Sequence, residues 1–201
     1  PDLITRNDSE MYATLRRRLA GRPHYKEQEG GFLPGDEPAH ELEAHRERLT
    51  WGDLAAISIA LDALEISNVR QHFFDYAERD RLDETTEYGG IVALDEQGRF
   101  EILEFPPRFR VHDLRFEAPQ AMFDAGYTAL FHFHNHTQKH RNKMHAGPGL
   151  GDMKYADATR ANCLVLTYVD EHTLNVDFYR HDGVLVDLGV IRRPGMAAHQ
   201  S

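Results

Sequence analysis

The sequence has one cysteine, Cys163, no long apolar run and no secretory signal. A lone cysteine excludes an intrachain disulfide. Its place in the run CLVLTYV predicts a buried small hydrophobe rather than a catalytic thiol, because no cationic neighbour would activate it. No apolar segment approaches the roughly 20 residues of a membrane-spanning helix. These absences predict a cytoplasmic protein that does not act on membranes.

An excess of basic residues is also missing, since the formal net charge is −10 at pH 7. Proteins dedicated to nucleic acids or anionic membranes carry basic surfaces, so the charge argues against both kinds of partner. The composition, with 41% hydrophobic and 28% charged residues, is that of a globular protein. A chain of this length suits one domain with an ordinary core.

Hydrophobic periodicity divides the chain into three parts. Residues 1–50 are predicted to form an N-terminal helical or partly flexible extension, with one helix ending at Gly21 and a second in PAHELEAHRERL. Residues 51–193 are predicted to form the main domain, and residues 194–201 a C-terminal tail.

The main domain is predicted to begin with a helix capped by Thr50 or Asp53. A hairpin in EYGGIVALDEQGRFEILEF, a short helix and the strand YTALFHFH follow. A helix starting near Asp152 and three closing strands complete the order. This order predicts an α/β fold in which helices flank a mixed, mostly antiparallel sheet.

What the sequence has in abundance is histidine, and five of its thirteen histidines fall in the run FHFHNHTQKHRNKMH. His132, His134 and His136 alternate, and alternate residues of a strand share one face. Phe131 and Phe133 would then face the core. Two imidazoles on one strand face can approach a zinc ion at about 2.0–2.1 Å each, although a solvated polar stripe explains a single His-x-His pair equally well.

Two carboxylates favour the metal. Asp152 stands at a predicted helix start, where capping would explain it. As a third zinc ligand it would leave a fourth position for water, which is the arrangement of a catalytic zinc. Glu87 precedes a predicted strand, where it is either a solvated strand end or the general base beside a metal-activated water.

Glu87 before an apolar strand, the His-x-His pair and Asp152 together resemble the JAMM/MPN+ zinc metalloproteases over roughly residues 51–193. In that family the pattern H-x-H-x7-S-x2-D supplies two histidine ligands and one aspartate ligand. The resemblance implies a JAMM/MPN-like fold in which His134, His136 and Asp152 bind zinc and Glu87 is the general base.

The histidine register has two solutions, and His134 belongs to both. With His136 as its partner, twelve residues precede the serine position of the pattern, and with His132 as its partner, fourteen do. The middle residue of the family pair is usually small and polar. That preference favours Asn135 over Phe133, so His136 is the preferred second ligand and His132 the alternate.

The chain departs from the family pattern at Gly149, where the family has a serine that stabilises the oxyanion of the reaction. Such a contact is typically worth about 3 kcal/mol. A backbone N–H of the loop GPGLG, which holds Gly149 and Gly151, could replace the hydroxyl. The inserted basic run KHRNKMH could recognise a substrate carboxylate or be a solvated loop.

The resemblance implies a zinc-dependent hydrolase acting on a peptide or isopeptide bond, with a peptide or ubiquitin-like protein as substrate. An oligomer is compatible with the sequence. Because Gly149 replaces the serine, a non-catalytic or weakly catalytic metal-binding scaffold is the alternative, although a structural metal needs no base such as Glu87. A third interpretation is a cupin-like metalloenzyme with three histidines and one acid, which the flanking helices disfavour.

Overall fold

The computed structural model describes residues 3–25, 39–110, 115–137 and 146–195. These residues form five α-helices, three short 3-10 turns and six strands. The helices are α1 (Asp8–Leu19), α2 (Trp51–Glu65), α3 (Ser67–Arg81), α4 (Gln120–Asp124) and α5 (Leu150–Thr159), and the 3-10 turns are Leu3–Thr5, Leu42–His45 and Gly126–Thr128. The strands are β1 (Gly89–Leu94), β2 (Phe100–Phe105), β3 (Ala129–His136), β4 (Cys163–Asp170), β5 (Thr173–Arg180) and β6 (Val184–Arg192).

The six strands form one sheet in the order β2-β1-β3-β4-β5-β6. All neighbours are antiparallel except β3 and β4, which run parallel. A parallel pair needs a crossover connection, and α5 lies in the segment that joins these two strands. The predicted mixed, mostly antiparallel sheet with helices is confirmed. No helix of the described residues is long and apolar enough to cross a membrane.

Helix α2 begins at Thr50, which is its N-cap. The Thr50 hydroxyl accepts the backbone N–H of Asp53, and the Asp53 carboxylate accepts the backbone N–H of Thr50. This reciprocal capping satisfies two donors at the helix start. Arg180 of β5 donates to both oxygens of Asp53, so the same carboxylate ties α2 to the sheet.

One face of the sheet packs against helices α1, α2 and α3. Phe131 and Phe133 of β3 lie in this core as predicted, and the ring of Phe73 meets Phe133 edge-on at 5.2 Å. Met11 and Leu15 of α1 are fully buried in the same core. The N-terminal helix therefore contributes directly to the apolar core of the fold.

The second helix predicted near residue 40 is wrong within the described residues, where only the 3-10 turn Leu42–His45 forms. His45 is buried and its Nε2 donates to the carbonyl oxygen of Ala39 at 2.7 Å. Leu42 is buried in the core. These two anchors hold a single turn against the sheet, whereas a longer helix would carry the following polar residues into the same space.

Candidate metal centre

The opposite face of the sheet carries α5 and the histidines of β3. His134 and His136 point to this face and are buried, and their Nε2 atoms lie 3.1 Å apart. Gly89 of β1 pairs with His134. A Cβ atom on Gly89 would lie 2.6 Å from the carbonyl oxygen of Phe133, so glycine lets β1 approach this part of β3 closely.

Glu87 enters the same site from the chain that leads into β1. It is 4% exposed, and its backbone N–H donates to the carbonyl oxygen of Arg115. One ligand atom each from Glu87, His134 and His136 lies within 4.8 Å of the others. This buried group could hold a metal ion.

Asp152 approaches the two histidines from α5. Its Oδ1 lies 3.3 Å from Nε2 of His134 and its Oδ2 lies 3.6 Å from Nε2 of His136. The helix starts earlier than predicted, so Gly149 is the N-cap and Asp152 is the third helical residue. Asp152 Oδ2 accepts the N–H of Gly149 at 2.8 Å, which holds the carboxylate in the direction of the imidazoles.

The spacing of these groups fits a tetrahedral zinc site. With ligands at 2.0–2.1 Å from the ion, neighbouring ligand atoms are about 3.3–3.4 Å apart. The two Nε2 atoms lie 3.1 Å apart, and each lies near a different oxygen of Asp152, Oδ1 at 3.3 Å from His134 and Oδ2 at 3.6 Å from His136. Two imidazole nitrogens and one carboxylate oxygen are also donors that zinc accepts.

The electrostatics of the centre favour a cation. Burial alone would raise the pKa of Asp152, but the nearby His134 and His136 bring it well below its usual range. Burial likewise disfavours charge on His136, yet the hydrogen bond with Asp152 and the charge of Glu87 raise its pKa above the ordinary value. The carboxylates thus stabilise positive charge here, and a metal ion competes with a proton for the same place.

His132 shares the face of His134 and His136 but lies outside the group that includes Glu87. Its Nδ1 is 2.7 Å from the hydroxyl of Tyr155, and burial lowers its pKa. Tyr155 stands one turn of α5 after Asp152, so helix and strand meet in two successive contacts. In the second contact, His132 is hydrogen-bonded to the phenol group of Tyr155.

The two loop glycines of the sequence prediction are placed differently. The N–H of Gly149 is taken by Asp152. Gly151 lies in the first turn of α5, where backbone N–H groups have no acceptor within the helix, and a Cβ atom there would meet nothing within 4 Å. The predicted basic insertion, with Lys139, His140, Arg141, Lys143 and His145, lies outside the described residues.

A second group on this face was not predicted, and we call it the β5–β6 polar cluster: His24, His40, Asn175, Asp177 and Asp187. Asp177 and Asp187 are buried and face each other across β5 and β6. Nδ2 of Asn175 donates to both, at 2.9 and 3.3 Å. Nδ1 of His40 lies 3.2 Å from Asp177, and Nδ1 of His24 lies 2.8 Å from Asp187. The sequence signal for this cluster is an acid in the middle of each of the strands TLNVDFYR and VLVDLGVI, both of which are almost entirely buried.

The candidate metal centre is assembled from three separate parts of the chain: the residue before β1, the end of β3 and the start of α5. Its four side chains are those that the JAMM/MPN+ resemblance singles out. Among known proteins, however, no family model, no curated sequence and no solved structure matches the chain.

Proposed function

We propose that the protein is a zinc-dependent hydrolase that cleaves a peptide or isopeptide bond, as its resemblance to the JAMM/MPN+ metalloproteases implies. The observation that carries the proposal is the buried group of Glu87, His134 and His136, whose ligand atoms lie within 4.8 Å of one another. The two carboxylate oxygens of Asp152 lie 3.3 and 3.6 Å from the Nε2 atoms of these histidines. A structural zinc is closed by four protein ligands, whereas a catalytic zinc has three and an open position. Three ligands and one further acid match the catalytic case.

A zinc ion held there would act as a Lewis acid on the scissile carbonyl and lower the pKa of a water to about 7. Glu87 would serve as the general base that takes a proton from the attacking water and returns it to the leaving amine. Its burial restricts access of bulk water to the carboxylate. Asp152, held by the N–H of Gly149, keeps its carboxylate directed at both imidazoles.

The negative charge that develops on the carbonyl oxygen needs a donor other than the family serine. The backbone N–H of Gly151, in the first turn of α5, is the candidate from this chain. The N-terminal end of a helix carries partial positive charge, and donors aimed at a developing oxyanion contribute strongly to catalysis. An exposed glycine leaves the approach to this N–H open.

A non-catalytic metal-binding scaffold is the second candidate, and one observation favours it. The chain has neither a hydroxyl nor an available N–H at position 149, because the N–H of Gly149 is bonded to Asp152. A scaffold of this kind would bind zinc and show no hydrolysis.

The test combines zinc analysis with hydrolysis of peptide and isopeptide-linked substrates by the zinc-loaded protein. We expect about one zinc per chain. Glu87→Gln should retain the zinc and lose hydrolysis by about 10²–10⁴-fold, as expected for a general base. The control is Glu101→Gln, an identical change on the exposed side of β2, which should alter neither.

Each outcome selects one interpretation. Zinc without hydrolysis in the wild type supports the scaffold. Loss of zinc in Glu87→Gln makes Glu87 a ligand rather than the base. A wild-type protein that binds no zinc rejects the hydrolase and the scaffold alike.

A further inference from the structure

We infer that His40 and Asp177 are positioning residues for the candidate metal centre. They support the segment 146–149, through which Asp152 is brought to the histidines. The inference rests on the proposed role of Asp152 as a zinc ligand, and it does not depend on hydrolysis.

Asp177 lies on the same sheet face as the metal-site histidines. In the strand register His134 of β3 pairs with Val165 of β4, and Val165 pairs with Asp177 of β5. Two strand spacings of about 4.8 Å separate the positions of His134 and Asp177. The space above β4 between them is therefore narrow, and segment 146–149 enters it.

Gly147 rests against the His40–Asp177 pair. A Cβ atom on Gly147 would lie 2.7 Å from Cε1 of His40 and 3.6 Å from Cγ of Asp177. The backbone of Gly147 has φ +80, a conformation that glycine adopts without strain. His40 is itself held by Asp177, because its Nδ1 lies 3.2 Å from the carboxylate.

Two further contacts transmit this support to Asp152. The N–H of Gly147 donates to the hydroxyl of Thr167 at 3.3 Å, and Thr167 is the register partner of His136. Residues 146–148 are buried, so the segment has little room to move. Gly149, two residues after Gly147, donates its N–H to Asp152. Groups that orient a metal ligand from behind typically change metal affinity by 10–100-fold.

The same cluster supplies a matched control. His24 pairs with Asp187 through Nδ1 at 2.8 Å, which repeats the contact between His40 and Asp177. Asp187 lies on β6, one strand farther from β3. Replacing either histidine by alanine removes one imidazole from one buried carboxylate, but only the His40 ring is packed against Gly147.

The experiment is a double-mutant cycle on zinc affinity, measured by competition with a chelating dye. His40→Ala should weaken zinc binding by about 10-fold or more, and His24→Ala should leave it within about twofold. In an Asp152→Ala background, His40→Ala should have no further effect, because coupled residues are non-additive. An unchanged affinity in His40→Ala, or an equal loss with and without Asp152, would overturn the inference.

A second readout needs no metal. In the metal-free protein, His40→Ala should accelerate amide hydrogen exchange across residues 146–152, and His24→Ala should not. If His40→Ala does not fold, His40→Gln takes its place, since it keeps a polar side chain beside Asp177 and removes the ring that packs against Gly147. Unchanged exchange in the segment rejects the inference even for a chain that binds no zinc. Zinc binding without hydrolysis rejects only the proposed reaction.

Discussion

Two histidine–carboxylate clusters occupy the same face of one sheet, yet they are arranged differently. In the candidate metal centre the nitrogens of His134 and His136 and the carboxylate of Asp152 face one another at 3.1–3.6 Å. In the β5–β6 polar cluster each imidazole is paired with its own carboxylate. Within the described parts of the chain, only the candidate metal centre brings three ligand atoms within 4.8 Å of one another, and these belong to Glu87, His134 and His136.

The difference shows that residue types alone do not make a metal site. Asn175 separates the two acids of the β5–β6 polar cluster by donating to both. Its orientation is fixed because its Oδ1 accepts the N–H of Tyr25. Both acids thus share one protein donor. The imidazole nitrogens of the candidate metal centre are instead directed at each other and at Asp152, an arrangement that a shared cation would stabilise.

The largest expected effect on zinc affinity is that of His134→Ala in the candidate metal centre, and His24→Ala in the β5–β6 polar cluster is its control. His134→Ala should weaken zinc binding by more than the roughly 100-fold upper range of supporting residues, because it removes a ligand. His24→Ala should leave zinc affinity nearly unchanged. Zinc titration against a competing chelator measures both, and comparable losses in the two variants would show that the clusters are not distinct.

Zinc should also stabilise the fold through the metal centre alone. At a free zinc concentration of 100 times Kd, a site specific to the folded state raises the free energy of unfolding by about 2.7 kcal/mol. This gain should persist in Asp187→Asn and disappear in His136→Ala. Thermal unfolding with zinc and with chelator provides the measurement, and a gain that survives in His136→Ala would place the zinc elsewhere.

Asn175→Ala should affect the β5–β6 polar cluster and spare the metal centre. Losing hydrogen bonds to charged acceptors costs about 1.5–3 kcal/mol, so a loss of about 2 kcal/mol in urea unfolding is expected, with unchanged zinc affinity. Asn135→Ala is the control, since Asn135 is equally buried and its side-chain amide has no hydrogen-bond partner among the described residues. Equal losses in the two variants would mean that packing, not the shared donor, dominates.

The buried aspartates of the two clusters, Asp177 and Asp152, should respond to pH with opposite sign. Burial and the charge of Asp187 raise the pKa of Asp177 to about 6, so its contribution to stability is present at low pH and is lost as pH rises through about 6. The pKa of Asp152 is lowered, so its contribution is present above its unfolded pKa and is lost on acidification below about 4.

Unfolding of the metal-free protein across pH 3–8 separates these contributions. Asp177→Asn should remove a loss of stability that accompanies the rise from about pH 4 to about pH 6, and Asp152→Asn should reduce the loss below about pH 4. If Asp177→Asn leaves the stability between about pH 4 and 6 unchanged, Asp177 is not the group that titrates there.

The smallest effect is expected from Gly149→Ser. Gly149 is the N-cap of α5 with an extended backbone, φ −82 and ψ 178, which serine adopts readily. Serine is a better N-cap than glycine by a few tenths of a kcal/mol. The hydroxyl also restores the family's oxyanion group, so hydrolysis should increase while zinc affinity stays constant. A decrease in activity would argue against Gly149 standing at the serine position.

Sequence patterns predicted most of the helices and strands, because alternation and helix capping depend on residues that are close together in the chain. The alternation of FHFHNH indicated a strand with phenylalanines on the core face, and burial of Phe131 and Phe133 confirms it. Thr50 was one of the two N-cap candidates predicted for α2, and the structure has it in that position. The helix near residue 40 was a wrong prediction, since only the 3-10 turn Leu42–His45 forms there, with Leu42 buried in the core.

The β5–β6 polar cluster could not be predicted in the same way. His24 and Asp187 are more than 160 residues apart, and their pairing depends on how the N-terminal segment crosses β6. The positions of Asp177 and Asp187 within β5 and β6 indicated that acidic side chains would be buried. These positions did not indicate which residues would pair with them. Strand alternation places a side chain on a face and leaves open which residue from elsewhere will meet it.

The sequence by itself determined that His132, His134 and His136 share one strand face, because a strand repeats every two residues. Only the tertiary structure decided their different surroundings. Pairing of β1 with β3 brings Glu87 close to His134 and His136. The crossover through α5 brings Asp152 to the same two histidines, and Tyr155 in the next turn of α5 hydrogen-bonds with His132. A metal site requires several donors within a few ångströms, and that condition is set by sheet order and helix placement.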